Sequence, residues 1–453
     1  MSAEGLQASV EKMQREGVPD AAIATFRHYY EQLEAGESGL IPEVAIDPVR
    51  ELQDADALPP GDAPLDRAVV IKLNGGLGTS MGMDRAKSLL EVKDGLAFLD
   101  VIARQVLALR EASGARVPLV LMNSFYTRDD SLALLERYDE LASDVPFDFV
   151  QHKEPKLLVD GLEPADWPAD RSLEWCPPGH GDIYPALLTS GMLALLLERG
   201  YRYAFMSNSD NLGAVLDPRI LAWIASEELP YVCEVTDRTE ADKKGGHIAV
   251  LKETGGLILR ETAQTPDADM DAFTDLDRHP YFHVNNLWVD LRALERLLRE
   301  RDGVMGLPMI VNEKTVDPAD SSSPPVYQLE TAMGAAIGVF AGARAIRVPR
   351  SRFVPVKKTS DLLVLRSDAY VLGDGARIEL AGGRSSAPLV ELDDDHFKLL
   401  ADFHSRFPSG PPSLAQAERL EVVGDVTFGR DVSVRGDVAV EGPGRVEDGA
   451  ELS

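Results

Sequence analysis

Apolar residues change their spacing along this 453-residue chain in a way that divides it into three parts. Up to about residue 60 they fall three to four apart (Val10, Met13, Ile23, Phe26, Tyr30, Leu33), which predicts one or two helices over residues 1–60. A linker rich in Pro, Asp and Ala closes that part, Leu58-Pro-Pro-Gly-Asp-Ala-Pro64. From Ala68 to about Ser360, short apolar runs alternate with helical patterns. Val69–Leu73, Val117–Met122, Phe147–Val150, Tyr203–Met206, Tyr231–Val235 and Ile248–Leu251 read as strands. Leu99–Glu111, Ser131–Ser143, Leu187–Arg199, Leu291–Arg301 and Leu329–Phe340 read as helices. Such alternation predicts an α/β domain over residues 61–360, its sheet mostly parallel and covered on both faces. Residues 361–453 form a third part. Leu420, Val426, Val432 and Val438 lie six apart there, and Gly424, Gly436 and Gly442 share the period. A six-residue aliphatic repeat is the signature of a β-helix, whose open end gains stability by docking on a neighbour or a second subunit. A plain β-meander with incidental spacing is the alternative.

The chemistry begins where the first predicted strand ends. Ala68-Val-Val-Ile-Lys-Leu-Asn-Gly-Gly-Leu-Gly-Thr-Ser-Met-Gly82 runs from a buried strand into four glycines within eight residues, with Lys87 close behind. Glycine admits positive φ and lets backbone N–H groups approach an anion, so the pattern fits a phosphate cradle with a helix N-terminus following it. Two standard phosphate loops are excluded. A Walker A loop needs lysine directly after its last glycine, but Gly82 precedes Met83. A dinucleotide fingerprint needs glycine at the position of Met81.

Composition narrows the ligand. A formal charge of −29 argues against nucleic acid, which is bound by excess Lys and Arg, but leaves room for a small phosphorylated ligand held by a few local cations. Two cysteines, Cys176 and Cys233, cannot build a disulfide framework and suit a reducing compartment. The N-terminus lacks a basic-then-apolar signal pattern, and no apolar run approaches the roughly 20 residues that span a bilayer. A cytoplasmic protein with no membrane partner is expected.

Four further segments put polar side chains where an α/β site needs them. Gln151 ends a predicted strand with an amide that is both donor and acceptor, suited to a base edge or simply to the surface. His180 lies in Trp175-Cys-Pro-Pro-Gly-His-Gly-Asp-Ile-Tyr184, where proline and glycine fix the backbone around it. Asp210 lies in Tyr203-Ala-Phe-Met-Ser-Asn-Ser-Asp-Asn-Leu-Gly213, at a strand's carboxyl end. A carboxylate there suits Mg²⁺, and it equally suits an Asx turn. Arg350-Ser-Arg-Phe-Val-Pro-Val-Lys-Lys358 concentrates four cations in an acidic chain, either a solvated patch or a source of charge for a polyphosphate.

In this order, and with Asn285-Asn-Leu-Trp288, Val311-Asn-Glu-Lys-Thr315 and Gln328-Leu-Glu-Thr-Ala-Met-Gly-Ala-Ala336, these segments resemble the eukaryotic-type UTP–glucose-1-phosphate uridylyltransferases from about residue 60 to residue 370. The resemblance implies a Rossmann-like nucleotidyltransferase domain, a helical N-terminal part and a C-terminal left-handed β-helix used in homo-oligomers. It implies that Leu73, Asn74, Gly75 and Gly76 form the nucleotide loop, that Lys87 and Lys357 contact phosphates, and that Gln151 and Gly179 hold uracil. It assigns His180, Asn208 and Asn285 to the sugar phosphate and Asp210 to Mg²⁺. The implied reaction is Mg²⁺-assisted, in-line attack of glucose 1-phosphate on the α-phosphorus of UTP. Rival readings are a relative acting on galactose 1-phosphate or N-acetylglucosamine 1-phosphate, and a silent sugar-nucleotide sensor. One departure stands out: the family usually carries Gly-Pro before the loop lysine, and this chain has Asp84-Arg-Ala-Lys87. The change removes a fixed φ and adds Arg85 as a cation beside the triphosphate.

Overall fold

A computed structural model describes residues 2–453. Eight strands make the main path of its sheet: β1 (Gln53–Asp54), β2 (Ala68–Asn74), β3 (Leu119–Asn123), β4 (Asp148–Val150), β5 (Tyr203–Asn208), β6 (Tyr231–Asp237), β7 (Tyr281–Asp290) and β8 (Arg344–Arg347). They lie in the order β1-β8-β6-β7-β5-β2-β3-β4. All neighbours are parallel except β7, which runs against both β5 and β6.

Period-two alternation explains why this sheet is buried on both faces. Ala68 and Val70 of β2, Leu119 and Leu121 of β3, and Tyr203 and Phe205 of β5 enter one apolar cluster. Their sequence neighbours Val69, Ile71, Val120, Met122, Ala204 and Met206 enter another. The first cluster is roofed by the Phe98–Ser113 helix through Phe98, Leu99, Ile102 and Val106, and by Ile220 and Ile224 of the Pro218–Ser226 helix. The second is roofed by Ile183 and Leu187 of Ile183–Thr189 and by Leu294 and Leu298 of Leu291–Glu300. Among the described residues no helix is long and apolar enough to cross a membrane.

Residues 2–34 form the two expected helices, Ser2–Arg15 and Asp20–Glu34, which pack Val10, Met13, Phe26 and Tyr30 against Leu157, Met309 and Leu329. The following stretch is not helical: Ile46–Pro48 pairs with His247–Leu251, and β1 closes the edge of the main sheet. Towards the C-terminus, Leu389–Leu392, Ser413–Val423, Ser433–Glu441 and Glu451–Leu452 stack as a parallel ladder, with Val426–Phe428 and Gly444–Val446 forming a second parallel pair. Leu420 faces Val438 and Val426 faces Gly444, three six-residue steps on in each case. Leu420, Val426, Val432 and Val438 are all buried.

Three expectations are corrected. Leu329–Phe340 is not a helix: its start completes the Pro325–Thr331 strand, paired with Met309–Thr315, and its middle is a 3₁₀ turn, Met333–Gly338. Leu187–Arg199 lies across two short helices, Ile183–Thr189 and Met192–Glu198, parted at Gly191, where φ is 75°. Ser131–Ser143 is helical only to Leu135, the end of Arg128–Leu135, before a separate 3₁₀ turn at Asp139–Leu141.

Candidate active site at the carboxyl edge of the sheet

β2, β3, β4 and β5 all deliver their carboxyl ends to one edge, where ligands of open α/β sheets sit. There β2 empties into the glycine loop. Gly78 and Gly82 have φ of 67° and 76° and bracket a 3₁₀ turn, Thr79–Met81. The loop closes when Lys87 N–H donates to the Gly76 carbonyl at 3.0 Å. A Cβ at Gly76 would meet open space, whereas one at Gly75 would press on the Gln151 amide. The helix expected behind the loop is absent. A second 3₁₀ turn, Lys87–Leu89, follows, and the next α-helix starts at Phe98, so the loop's own N–H groups rather than a helix terminus form the cradle. Ala86 is fully buried with φ −52°, the angle proline would impose, so the departure from Gly-Pro leaves the backbone in a proline-like path. Arg85 is exposed.

Leu73 and Asn74 shape the loop from within. Asn74 turns its side chain away from the cleft, donating to Asn123 Oδ1 at 2.7 Å and Ser131 Oγ at 2.8 Å, so only its backbone remains for a ligand. The Leu73 carbonyl accepts from Ser209 N–H at 3.1 Å.

Gln151 is held by its N–H, which donates to the Asn123 carbonyl at 2.8 Å. Gly179 has φ 77°, and a Cβ there would run into the Thr331 backbone, which itself donates to the Pro178 carbonyl at 3.0 Å. These two positions are bolted together by a buried pair that the motifs did not reveal. His152 N–H donates to Asp182 Oδ2 at 2.6 Å, its Nδ1 meets Asp182 Oδ1 at 2.7 Å, and its Nε2 meets Thr189 Oγ1 at 2.7 Å. A pairing between side chains 30 residues apart leaves no signal in local sequence.

His180 keeps a solvent-accessible face, yet the protein around the ring pulls its pKa down to about 4. Geometry requires the same direction. Nδ1 accepts the Met333 N–H at 3.0 Å and so carries no proton, which leaves Nε2–H as a donor. His283, buried beside it, is pulled down to about 3, first by burial and then by repulsion from His180 where that ring too would be protonated. Asn285 and Asn208 meet, Nδ2 to Oδ1 at 2.9 Å, and Asn285 adopts φ 60°, an uncommon conformation for a residue with a side chain.

The opposite wall carries the charge. Lys87 Nζ lies 2.6 Å from Asp210 Oδ2, both side chains partly exposed. Behind them Lys72, 2% exposed, donates to Ser207 Oγ at 2.7 Å and to the Ala214 carbonyl at 2.8 Å, gripping both ends of the Asp210 turn, and burial lowers its pKa to about 7. Of the four cations in 350–358, Arg350 pairs with Asp242, Arg352 is buried with Glu234, and Lys358 lies 3.5 Å from Asp394. Lys357 is exposed, close to Glu261, a carboxyl whose pKa burial raises against the pull of that lysine. Glu261 had no motif to mark it.

The donor set decides what kind of metal fits. Among the described residues no group of three or more His, Cys, Asp or Glu could hold an ion. One hard carboxylate, Asp210, suits Mg²⁺ shared with substrate phosphates rather than an all-protein cage.

Comparison with known proteins shows what the whole chain is similar to. Residues 23–435 match the family model described as UTP–glucose-1-phosphate uridylyltransferase. A curated protein of that name from Musa acuminata is 43% identical over 394 residues, 86% of this chain and 82% of its own length. A crystal structure of a mutant UDP-glucose pyrophosphorylase from Leishmania major in complex with UDP-glucose is 45% identical, with a TM-score of 0.93 over 99% of this chain and 98% of that one. The Trypanosoma brucei protein is 43% identical, with a TM-score of 0.93 over the same shares.

Proposed function

The chain belongs to the UTP–glucose-1-phosphate uridylyltransferase family, and we propose that the edge described above is where it carries out that family's reaction. It is a uridylyltransferase that joins UTP and glucose 1-phosphate to give UDP-glucose and pyrophosphate. The observation that carries the assignment of the site is the meeting of Lys87 and Asp210, from motifs 123 residues apart, at the mouth of the glycine loop.

The nucleophile, a sugar phosphate oxygen, is already an anion near neutral pH, so no general base is required. What the protein must supply is position and charge. Gln151 and the backbone at Gly179 orient the uracil, and the backbone at Leu73 to Gly76 lines the nucleotide. His180 Nε2–H donates to the sugar phosphate, with Asn208 and Asn285 beside it. Lys87 and Lys357 neutralise charge developing towards pyrophosphate as the α-phosphorus is attacked in line. Mg²⁺ held at Asp210 would add further charge compensation between the two anionic substrates.

Several coarser features extend this reading. The parallel C-terminal coils are those of a left-handed β-helix serving homo-oligomerisation, in a domain over 361–453 that follows an N-terminal segment over 1–60, helical up to Glu34, and a catalytic domain over 61–360. Two buried, free cysteines suit the cytoplasm. Pyrophosphate release measured with UTP, Mg²⁺ and a panel of sugar 1-phosphates tests the function. Fast release with glucose 1-phosphate that disappears on chelation is expected. No release with any sugar overturns the assignment, and faster release with galactose 1-phosphate or N-acetylglucosamine 1-phosphate overturns the glucose preference.

A further inference from the structure

The segment carrying Lys357 is not a free hinge. Between Arg352 and Val356 it runs beside the turn that holds Asp210. Val356 N–H donates to the Asp210 carbonyl at 3.2 Å, Val354 N–H donates to Asn211 Oδ1 at 2.9 Å, and Pro355 pairs with Asn211 as an antiparallel bridge. Asn211 is 2% exposed, and its whole amide is used. Oδ1 also accepts from Gly213 N–H at 3.2 Å, while Nδ2 donates to the Arg352 carbonyl and to Asn286 Oδ1, each at 3.2 Å.

Neighbouring groups fix which end of the amide is which. Asn286 Nδ2 donates to Glu234 Oε2 at 2.9 Å, and Glu234 is held in turn by Arg352 and by Trp288 Nε1. Asn286 therefore turns its oxygen towards Asn211, which must answer with its nitrogen. Two donors and two acceptors are required within one small side chain, and asparagine supplies them.

We propose that Asn211 is a positioning residue for catalysis: it sets the register of Lys357 against Asp210, so that the carboxylate and the phosphate-reaching lysine act as one rigid unit. The proposal rests on the roles given above to Asp210 and Lys357. Without Asn211, Lys357 keeps its charge but loses its place, and a misplacement of about 1 Å costs on the order of 100-fold in rate.

A double-mutant cycle on kcat tests this, with melting temperature read on every protein. Asn211→Ala is expected to lower kcat roughly 10- to 100-fold while the KM for glucose 1-phosphate moves little. In a Lys357→Ala background the same change is expected to add nothing. Asn211→Asp keeps the shape but sets a carboxylate against the Arg352 carbonyl and the Asn286 oxygen. It is expected to lose at least as much as alanine, and it serves the same cycle where the alanine protein fails to fold. Losses that multiply instead show that Asn211 acts independently of Lys357 and overturn the proposal. A Lys357→Ala protein with full kcat removes the role of Lys357 first, and the proposal with it.

Discussion

At the scale of single residues, charge and hydrogen-bond direction make the sharpest demands. Lys87 is partly exposed and bonded to a carboxylate at the cleft rather than packed into the core. Lys87→Ala is therefore expected to lower kcat about 100- to 1,000-fold, the size associated with removing one preorganised electrostatic partner, while the melting temperature holds. A melting temperature that falls with the activity would make this lysine structural. His283 makes the opposite demand, on stability. Its pKa falls from an ordinary 6.5 to about 3 in the folded chain, so the unfolded chain takes up a proton that the native one lacks. Its contribution is thus present above pH 6.5 and lost as pH falls from there towards 3. Thermal melts between pH 7 and pH 5 should show His283→Gln losing less stability over that interval than the parent. Parallel curves would show that His283 does not titrate with unfolding. Most of these side chains were legible in motifs, because glycine loops and a carboxylate at a strand end have local chemistry. Asn74 is the instructive exception: its place in the loop was readable, but its inward turn depends on Asn123 and Ser131.

Among the elements, those with unbroken apolar runs declared themselves and those with polar cores did not. β2, β3, β5 and β6 follow from short apolar runs, built of Val, Ile and Leu in β2 and β3, of Tyr, Ala, Phe and Met in β5, and of Tyr and Val in β6. β7 carries His283, Asn285 and Asn286, and β8 carries two arginines in four residues, so neither looks like a buried strand until its partners are in place. Glu234 makes a buried asparagine at Asn286 tolerable, and no local pattern announces that pairing. The glycine loop leaves the sheet through Asp84-Arg85-Ala86. Because Ala86 already holds a proline-like φ, Ala86→Pro is expected to stabilise the protein by about 0.4–1 kcal/mol through the unfolded chain, read as a higher denaturant midpoint with kcat unchanged. A lower midpoint would mean that the packing around this buried residue has no room for the ring.

For the whole molecule, the C-terminal coils are not an appendage. Phe397, Phe403, Phe407, Leu414, Leu420 and Val426 belong to the same apolar cluster as Phe98 and Val70 beneath the catalytic sheet. Ending the chain just before Pro412 is expected both to lower the melting temperature, by uncovering Phe403 and Phe407, and to reduce the mass seen by mass photometry to that of a monomer. Equal oligomeric masses with and without the coils would remove their role in assembly. The reversed strand has a consequence of a different kind, in time rather than space. β7 lies between β5 and β6, yet both of those are synthesised before it. A chain emerging from the ribosome can therefore assemble β4, β3, β2 and β5 first, while β6 has no sheet partner until Asp290 is out, because its other neighbour, β8, is made later still. Until then the open edge of β5 and both edges of β6 stand unpaired, so the growing chain is most prone to mispairing and aggregation while β7 is still being made.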